Sequence, residues 1–233
     1  NTTVGFYSMA ANTTGAQNVA VGSYALDAAT TADNNIAVGY AALSAVTTGA
    51  NNVAIGTRAL NVNAASNNVA VGLSAARYNT TGTSNVAIGY LAFEDNTTGA
   101  SNVAVGYIAL AENTTASYNT AVGNMSLTKN TTGTQNVAMG HSSLDANTTA
   151  SYNTAIGTGA LGENTTGANN TALGWNALNT NTTASHNTAV GYKALLATVG
   201  ADNTAVGLRA GHLITTGFNN VLLGEDAGDT LTE

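Results

Sequence analysis

A glycine recurs along the whole chain at a nearly constant spacing. The steps are 17 residues long, with two steps of 16, and each glycine follows an asparagine by four residues. The series is Gly5, Gly22, Gly39, Gly56, Gly72, Gly89, Gly106, Gly123, Gly140, Gly157, Gly174, Gly191, Gly207 and Gly224. A period of this length is typical of a solenoid, in which one short coil stacks on its neighbours and cannot fold alone. We therefore expect an all-β parallel β-solenoid of 14 coils.

The repeat fills the chain, so it predicts one solenoid domain over residues 1–233. The last full motif lies near residues 220–224, and residues 225–233 form an acidic end. Because residue 1 is an asparagine and no charged and apolar leader precedes it, we expect the sequence to be part of a longer protein.

The three residues that precede each glycine alternate between larger side chains and alanine. The residue directly before it is apolar in every copy, the next is nearly always alanine, and the third is Val, Ile or Thr. Side chains alternate along a strand, which places the aliphatic residues on one face and alanine on the other. We expect the aliphatic face to form the core with the Leu26 column. The alanine face has two interpretations. Either a partner sheet or a second copy of the chain packs closely against it, or small side chains are needed there because the solenoid is thin.

The glycine and asparagine columns indicate turn geometry. Glycine adopts positive φ without steric cost, which suits a sharp exit from each strand. Asparagine tolerates the left-handed region, caps turns, and can form ladders between stacked coils. Both columns are predicted to be structural, and the residues assigned to this turn ladder include Asn18 with Gly22, Asn35 with Gly39, and Asn52 with Gly56. The two single-residue deletions, after Leu60 and Leu195, fall in loops and are expected to leave the core columns aligned.

The composition excludes several function classes. The net charge is -7 and the five cations are scattered, so no basic stripe for nucleic acid is expected. No apolar run reaches the roughly 18 residues that a membrane-spanning helix needs. The chain has no cysteine, which excludes thiolate metal sites and disulfides.

No arrangement of polar residues predicts catalysis. The sequence has no nucleophile elbow, no phosphate-binding loop and no paired-carboxylate cleft, so we predict no enzyme activity and no cofactor. The histidines His141, His186 and His212 occupy three different columns, which argues against a shared metal site within the chain. Calcium bridging by the terminal acids remains an alternative to simple solvation, and these acids are Glu225, Asp226, Asp229 and Glu233.

Aromatic residues recur directly after the glycine. These candidate ligand or interface residues are Phe6, Tyr40, Tyr90, Tyr107, Trp175 and Tyr192. Exposed aromatic rings can stack on sugars, and they also pack well between sister chains. Both interpretations remain open, and packing is favoured.

The motifs Asn-Val-Ala-Val-Gly (18–22), Asn-Val-Ala-Ile-Gly (52–56 and 85–89) and Asn-Thr-Ala-Val-Gly (119–123, 187–191 and 203–207) resemble head repeats of trimeric autotransporter adhesins. They are also similar to repeats of phage tail fibres and other bacterial surface proteins. The resemblance implies a left-handed parallel β-roll that forms a homotrimer, lies extracellularly on a cell surface or virion, and attaches to a host receptor or glycan. Six-residue stretches such as 21–26 also permit a three-sided left-handed β-helix.

Two other function classes are compatible with the repeat. Paired threonines, such as Thr13 with Thr14 and Thr97 with Thr98, suggest an ice-binding surface, although only one of each pair can project outward. Exposed strand edges at the two ends of a solenoid also permit a self-assembling extracellular filament or surface layer.

Overall fold

The computed structural model describes residues 1–229, and these form two compact units. The first unit is Asn1–Tyr118, and the second comprises the described residues from Asn119 onward. Both units are β-solenoids, and residues 1–229 contain no helix. The predicted acidic end of residues 225–233 is described only as far as residue 229, and residues 230–233 lie outside the described residues.

Each coil contributes one strand of three residues. The first unit contains β1 Thr2–Val4, β2 Val19–Val21, β3 Ile36–Val38, β4 Val53–Ile55, β5 Val69–Val71, β6 Val86–Ile88 and β7 Val103–Val105. The second contains β8 Thr120–Val122, β9 Val137–Met139, β10 Thr154–Ile156, β11 Thr171–Leu173, β12 Thr188–Val190, β13 Thr204–Val206 and β14 Val221–Leu223. Successive strands pair in parallel within each unit, which confirms the predicted solenoid.

The strands stack in register despite the two deletions. Val53 pairs with Val69 across the first 16-residue step, and Thr188 pairs with Thr204 across the second. In both cases the loop between the two strands is one residue shorter and the strand register is unchanged, as expected because loops tolerate changes in length.

The expectation that the aliphatic strand face forms the core was wrong. The central alanine of a strand, for example Ala155, is fully buried, whereas its flanking residues Thr154 and Ile156 are only partly covered. A three-residue strand faces a thin interior, and the opposite wall already supplies a buried leucine such as Leu161. Only a small side chain fits between them, so alanine points inward and the larger residues point outward.

The asparagine before each strand forms the expected ladder. Its Oδ1 accepts the backbone N–H of the equivalent asparagine one coil later, at 2.9 Å from Asn18 to Asn35 and 2.9 Å from Asn35 to Asn52. The Nδ2 donates to a loop carbonyl of the following coil, as Asn35 does to Gly49 at 2.9 Å. Both ends of the buried amide are satisfied, which offsets the cost of its desolvation.

A second asparagine column is also buried, although the sequence pattern placed it in a loop. In the first unit Asn113 Nδ2 donates to Asn96 Oδ1 at 2.9 Å. In the second unit Asn147 Nδ2 donates to Asn130 Oδ1 at 2.8 Å, and Asn164 follows Asn147 at 3.2 Å. The two ladders lie side by side, because Asn85 and Asn96 both donate to the Gly99 carbonyl. The interior therefore combines buried alanine and leucine with two adjacent asparagine ladders.

Backbone geometry explains the glycine column. Gly174 has φ +136, and a Cβ placed on it would lie 2.4 Å from the carbonyl oxygen of Gly191 in the next coil. The asparagines of the first ladder do not occupy the left-handed region, contrary to expectation. The residue before each of them does, for example Asn34 with φ 57, and so does the core leucine Leu26 with φ 52. The ladder asparagine is already held by its amide bonds, so the turn is made one residue earlier.

Candidate interaction surface

The outward face of the strands presents two files of side chains, one apolar throughout and one that is Val or Ile in β2–β7 but Thr in five of the seven strands of the second unit. In the first unit Ile55 and Ile88 remain 40% and 39% exposed, and in the second Met139 and Leu173 remain 41% and 44% exposed. The positions on this face hold Val, Ile, Leu, Met or Thr, and none of them is charged. Each unit thus carries a narrow, uncharged sheet face that no other described part of the chain covers.

The six candidate aromatics lie beside this face and are all exposed, with Phe6 the most exposed at 62% and Trp175 the least at 43%. They do not form one continuous row, because Thr57, Asn124, His141 and Thr158 occupy the same position in other coils. The structure brings four of them together as two pairs. Tyr90 stacks on Tyr107 with ring centroids 5.4 Å apart, and Trp175 stacks on Tyr192 at 5.0 Å.

The remaining two candidates join residues that the sequence pattern did not single out. Phe6 and Tyr40 both contact Tyr24 edge to face, at 5.7 and 6.0 Å, and Tyr7 stacks on Tyr24 at 5.8 Å. Tyr7 and Tyr24 lie one position further from their glycines. The signal that could have found them is their one-coil spacing, 17 residues, which stacks side chains directly.

One cation lies against the second aromatic pair. The Lys193 ammonium is 5.2 Å from the Trp175 ring centroid and 5.4 Å from that of Tyr192. Contacts of this kind contribute about 0.5–1 kcal/mol at exposed sites. Trp175, Tyr192 and Lys193 therefore make an exposed patch with both aromatic and cationic character.

The three histidines lie in different local environments. His141 is exposed, His186 Nδ1 lies 3.7 Å from Asp202, and His212 Nδ1 lies 2.8 Å from Asp229. His212 also lies with two acids of the last described coil, because ligand atoms of His212, Asp226 and Asp229 are all within 4.8 Å of one another. Arg209 pairs with Asp226 at 2.6 Å in the same region.

Partial burial affects several acids in the loops. Desolvation raises the pKa of Asp145 above its usual range, and Glu163 adds to this rise, while a backbone hydrogen bond, Lys129 and His141 act against it. Desolvation likewise raises the pKa of Asp27 and Glu94. Burial is the largest cause of each raised pKa, and a neighbouring carboxylate adds to it at Asp145 and at Glu94.

The paired threonines divide between two roles. The first member bonds to the next coil, as Thr97 Oγ1 does to the Thr114 carbonyl at 2.9 Å and Thr165 Oγ1 does to Thr182 at 3.0 Å. The second member is exposed. This exposed threonine file comprises Thr14, Thr31, Thr48, Thr81, Thr98 and Thr115 in the first unit and Thr132, Thr149, Thr166, Thr183 and Thr216 in the second.

The surface formed by residues 1–229 has no enclosed pocket. None of these residues belongs to a helix long and apolar enough to cross a membrane. The chain matches no protein-family model, and no curated protein or solved structure was found to be similar to it.

Proposed function

We propose that this chain is a non-enzymatic fibre segment that assembles as a homotrimer of left-handed β-rolls. It would lie outside a cell or on a virion and hold an attachment surface for a host receptor or glycan. The observation that carries the proposal is the uncharged outward face of the strands, which holds an apolar file in both units. The resemblance of the repeats to adhesin heads and tail fibres supplies the attachment role.

The exposed aliphatic side chains favour self-association. Moving a half-exposed Val, Ile or Leu out of water contributes on the order of 1 kcal/mol, and the contribution recurs in each coil of a file. An uncharged face fits the same face of another copy without desolvating ions. Because the face runs along the direction of coil stacking, three copies around a parallel axis bury it without blocking the loops.

The aromatic residues support the same assembly. The stacked pairs Tyr90 with Tyr107 and Trp175 with Tyr192 border the aliphatic face, where large amphipathic rings are common in protein interfaces. Rings that remain exposed at the border after assembly offer flat apolar surfaces to a glycan.

The molar mass in solution tests the proposal. Sedimentation equilibrium at micromolar concentration should give about three times the chain mass of 23.1 kDa. A stable monomer at that concentration would contradict the trimeric fibre segment. Binding of the purified trimer to glycan arrays then tests the attachment role separately.

Ice binding is a second candidate function, favoured by the exposed threonine file. Its members repeat at the coil spacing, about 4.8 Å. The file is single and is interrupted at Ala64 and Val199, so we rank this function below the fibre segment. A thermal-hysteresis assay distinguishes the two, because a fibre segment should leave ice growth unchanged.

A further inference from the structure

Four polar side chains in the last two described coils form two stacked pairs. Arg209 and Asp226 each lie two residues after a coil glycine, and His212 and Asp229 each lie five residues after the same glycines. Since adjacent coils align residue by residue, each pair meets across one coil spacing. Arg209 Nη2 lies 2.6 Å from Asp226 Oδ2, and His212 Nδ1 lies 2.8 Å from Asp229 Oδ1.

The two pairs share one strip of the surface. Elsewhere in the solenoid, the side chain five residues after the glycine of one coil contacts the coil before it. It reaches the backbone carbonyl that lies two residues after that earlier coil's glycine. Asn179 Nδ2 donates to Gly159 at 2.7 Å, and Asn61 Nδ2 donates to Ala41 at 3.0 Å. His212 differs, since its Nδ1 lies 3.0 Å from the carbonyl of Arg209, which follows the glycine of its own coil. The stacking of His212 with Asp229 and of Arg209 with Asp226 brings His212, Asp226 and Asp229 together.

The carboxylates of this strip are incompletely satisfied. Oδ1 of Asp226 is shielded from water and accepts no hydrogen bond, since Arg209 contacts only Oδ2. Oδ1 of Asp229 is also shielded, and it faces the His212 imidazole. Asp226 Oδ1 therefore loses its hydration and gains no donor in return, whereas Asp229 Oδ1 has only the His212 imidazole beside it. Glu225 adds a third acid near the single cation Arg209.

We infer that His212, Asp226 and Asp229 form a binding site for a divalent transition-metal ion of the zinc class. One imidazole nitrogen and two carboxylate oxygens are ligands that zinc accepts, and three protein ligands leave a position for water. The ligand atoms lie within 4.8 Å of one another, so side-chain rotations suffice to bring them to metal-bonding distance. The ion would link the last two described coils and neutralise the excess of acidic charge.

The donor set separates this site from a calcium site. Calcium takes six to eight oxygen ligands, whereas this strip offers an imidazole and few oxygens. The inference does not depend on the trimer, because all three residues belong to one chain and one unit.

Isothermal titration with zinc sulfate on the whole chain tests the site. One zinc ion per chain is expected, and His212→Gln and Asp229→Asn should each weaken binding on the order of tenfold or more. His186→Gln is the matched control, because His186 also faces a single aspartate, Asp202, but has no second acid in its cluster.

Two results would overturn the inference. One is no zinc binding by the wild-type chain up to about 100 µM, where specific sites saturate. The other is equal zinc affinity in the wild-type and His212→Gln chains when circular dichroism shows both folded. Zinc should also raise the melting temperature of the wild-type chain and leave that of Asp229→Asn nearly unchanged.

Discussion

Oδ1 of Asn136 accepts a hydrogen bond from the backbone N–H of Asn153, 3.0 Å away in the next coil. The same side chain donates from Nδ2 to the Ala150 carbonyl at 2.8 Å. The buried amide of Asn136, at the start of one strand, thus binds two parts of the following coil. These are the residue before the next strand and the loop that leads to it. Repetition of this arrangement couples each coil to its neighbours.

Replacing this amide should destabilise the solenoid. Asn136→Ala leaves the Asn153 N–H without its acceptor and removes one of the two donors to the Ala150 carbonyl, which keeps Asn147 Nδ2 at 3.1 Å. We expect this to cost about 1–3 kcal/mol of unfolding free energy. Chemical denaturation followed by circular dichroism measures the loss. The control is Asn124→Ala at an exposed position, where the change should stay within about 0.5 kcal/mol. Equal effects of the two substitutions would contradict a stabilising ladder.

The glycine column should not accept a side chain. Gly174→Ala combines φ +136 with a Cβ only 2.4 Å from the Gly191 carbonyl oxygen, and we expect a loss of at least ~2 kcal/mol. Gly162→Ala is the control, since Gly162 has no positive φ and its added Cβ meets the end of the Asn179 side chain at 2.8 Å and the nearest backbone atom, the Gly159 oxygen, only at 3.3 Å. Thermal melting should rank Gly174→Ala well below the control. Indistinguishable melting temperatures would contradict the geometric role of this column.

The inward position of the central alanine can be tested by overpacking. Ala155→Leu places a large side chain in a fully buried position and should cost about 1–3 kcal/mol or prevent folding. Thr154→Leu, one residue earlier on the outward face, should be nearly neutral for unfolding. Denaturation curves for the two variants decide the assignment of faces. The opposite ranking would place the aliphatic residues inside.

The proposed trimer should depend on the aliphatic face. Ile88→Lys puts a charge in the middle of a file whose neighbours are Val71 and Val105, and burying that unpaired charge between copies is unfavourable. We expect this variant to sediment as a folded monomer. Thr98→Lys, at an exposed loop position, should remain trimeric. A trimer of unchanged stability for Ile88→Lys would remove this face as the interface.

The raised pKa of Asp145 predicts a specific pH dependence. Desolvation is the largest cause, so the folded pKa lies above the ordinary value of 3.8 and the charged form is disfavoured by folding. The contribution of Asp145 to stability is therefore greatest below 3.8 and is lost as the pH rises through the folded pKa. Asp145→Asn should raise the melting temperature at neutral pH.

The same substitution should have little effect at about pH 3, where the aspartate is mostly protonated in both states. Glu112→Gln, at an exposed position, controls for the loss of one negative charge. A destabilising Asp145→Asn at neutral pH would contradict the sign of the shift.

Much of the fold follows from the repeat itself. The strand at Val19–Val21, its parallel partner at Ile36–Val38 and the positive φ of Gly22 all follow from a period that aligns equivalent residues. The asparagine ladder through Asn18 and Asn35 follows for the same reason. The position of the deletions between the strands could also be predicted, because only a loop accepts a missing residue.

The candidate surface was predicted less completely. The exposure of Trp175 and Tyr192 was anticipated, but their stacking with each other and with Lys193 depends on side-chain conformations. The cluster of His212 with Asp226 and Asp229 was not anticipated, because the strip that joins their columns depends on how the loop folds back.

The sequence by itself determined the architecture and the register of this protein, because the spacing of Asn and Gly permits only one way for equivalent residues to stack. Only the tertiary structure decided which strand face is inside. Alternation separates Ala155 from Ile156 but does not say which of them points inward. The space left by buried leucines such as Leu161 makes that choice, since at the strand position it has room for alanine but not for the larger Ile156.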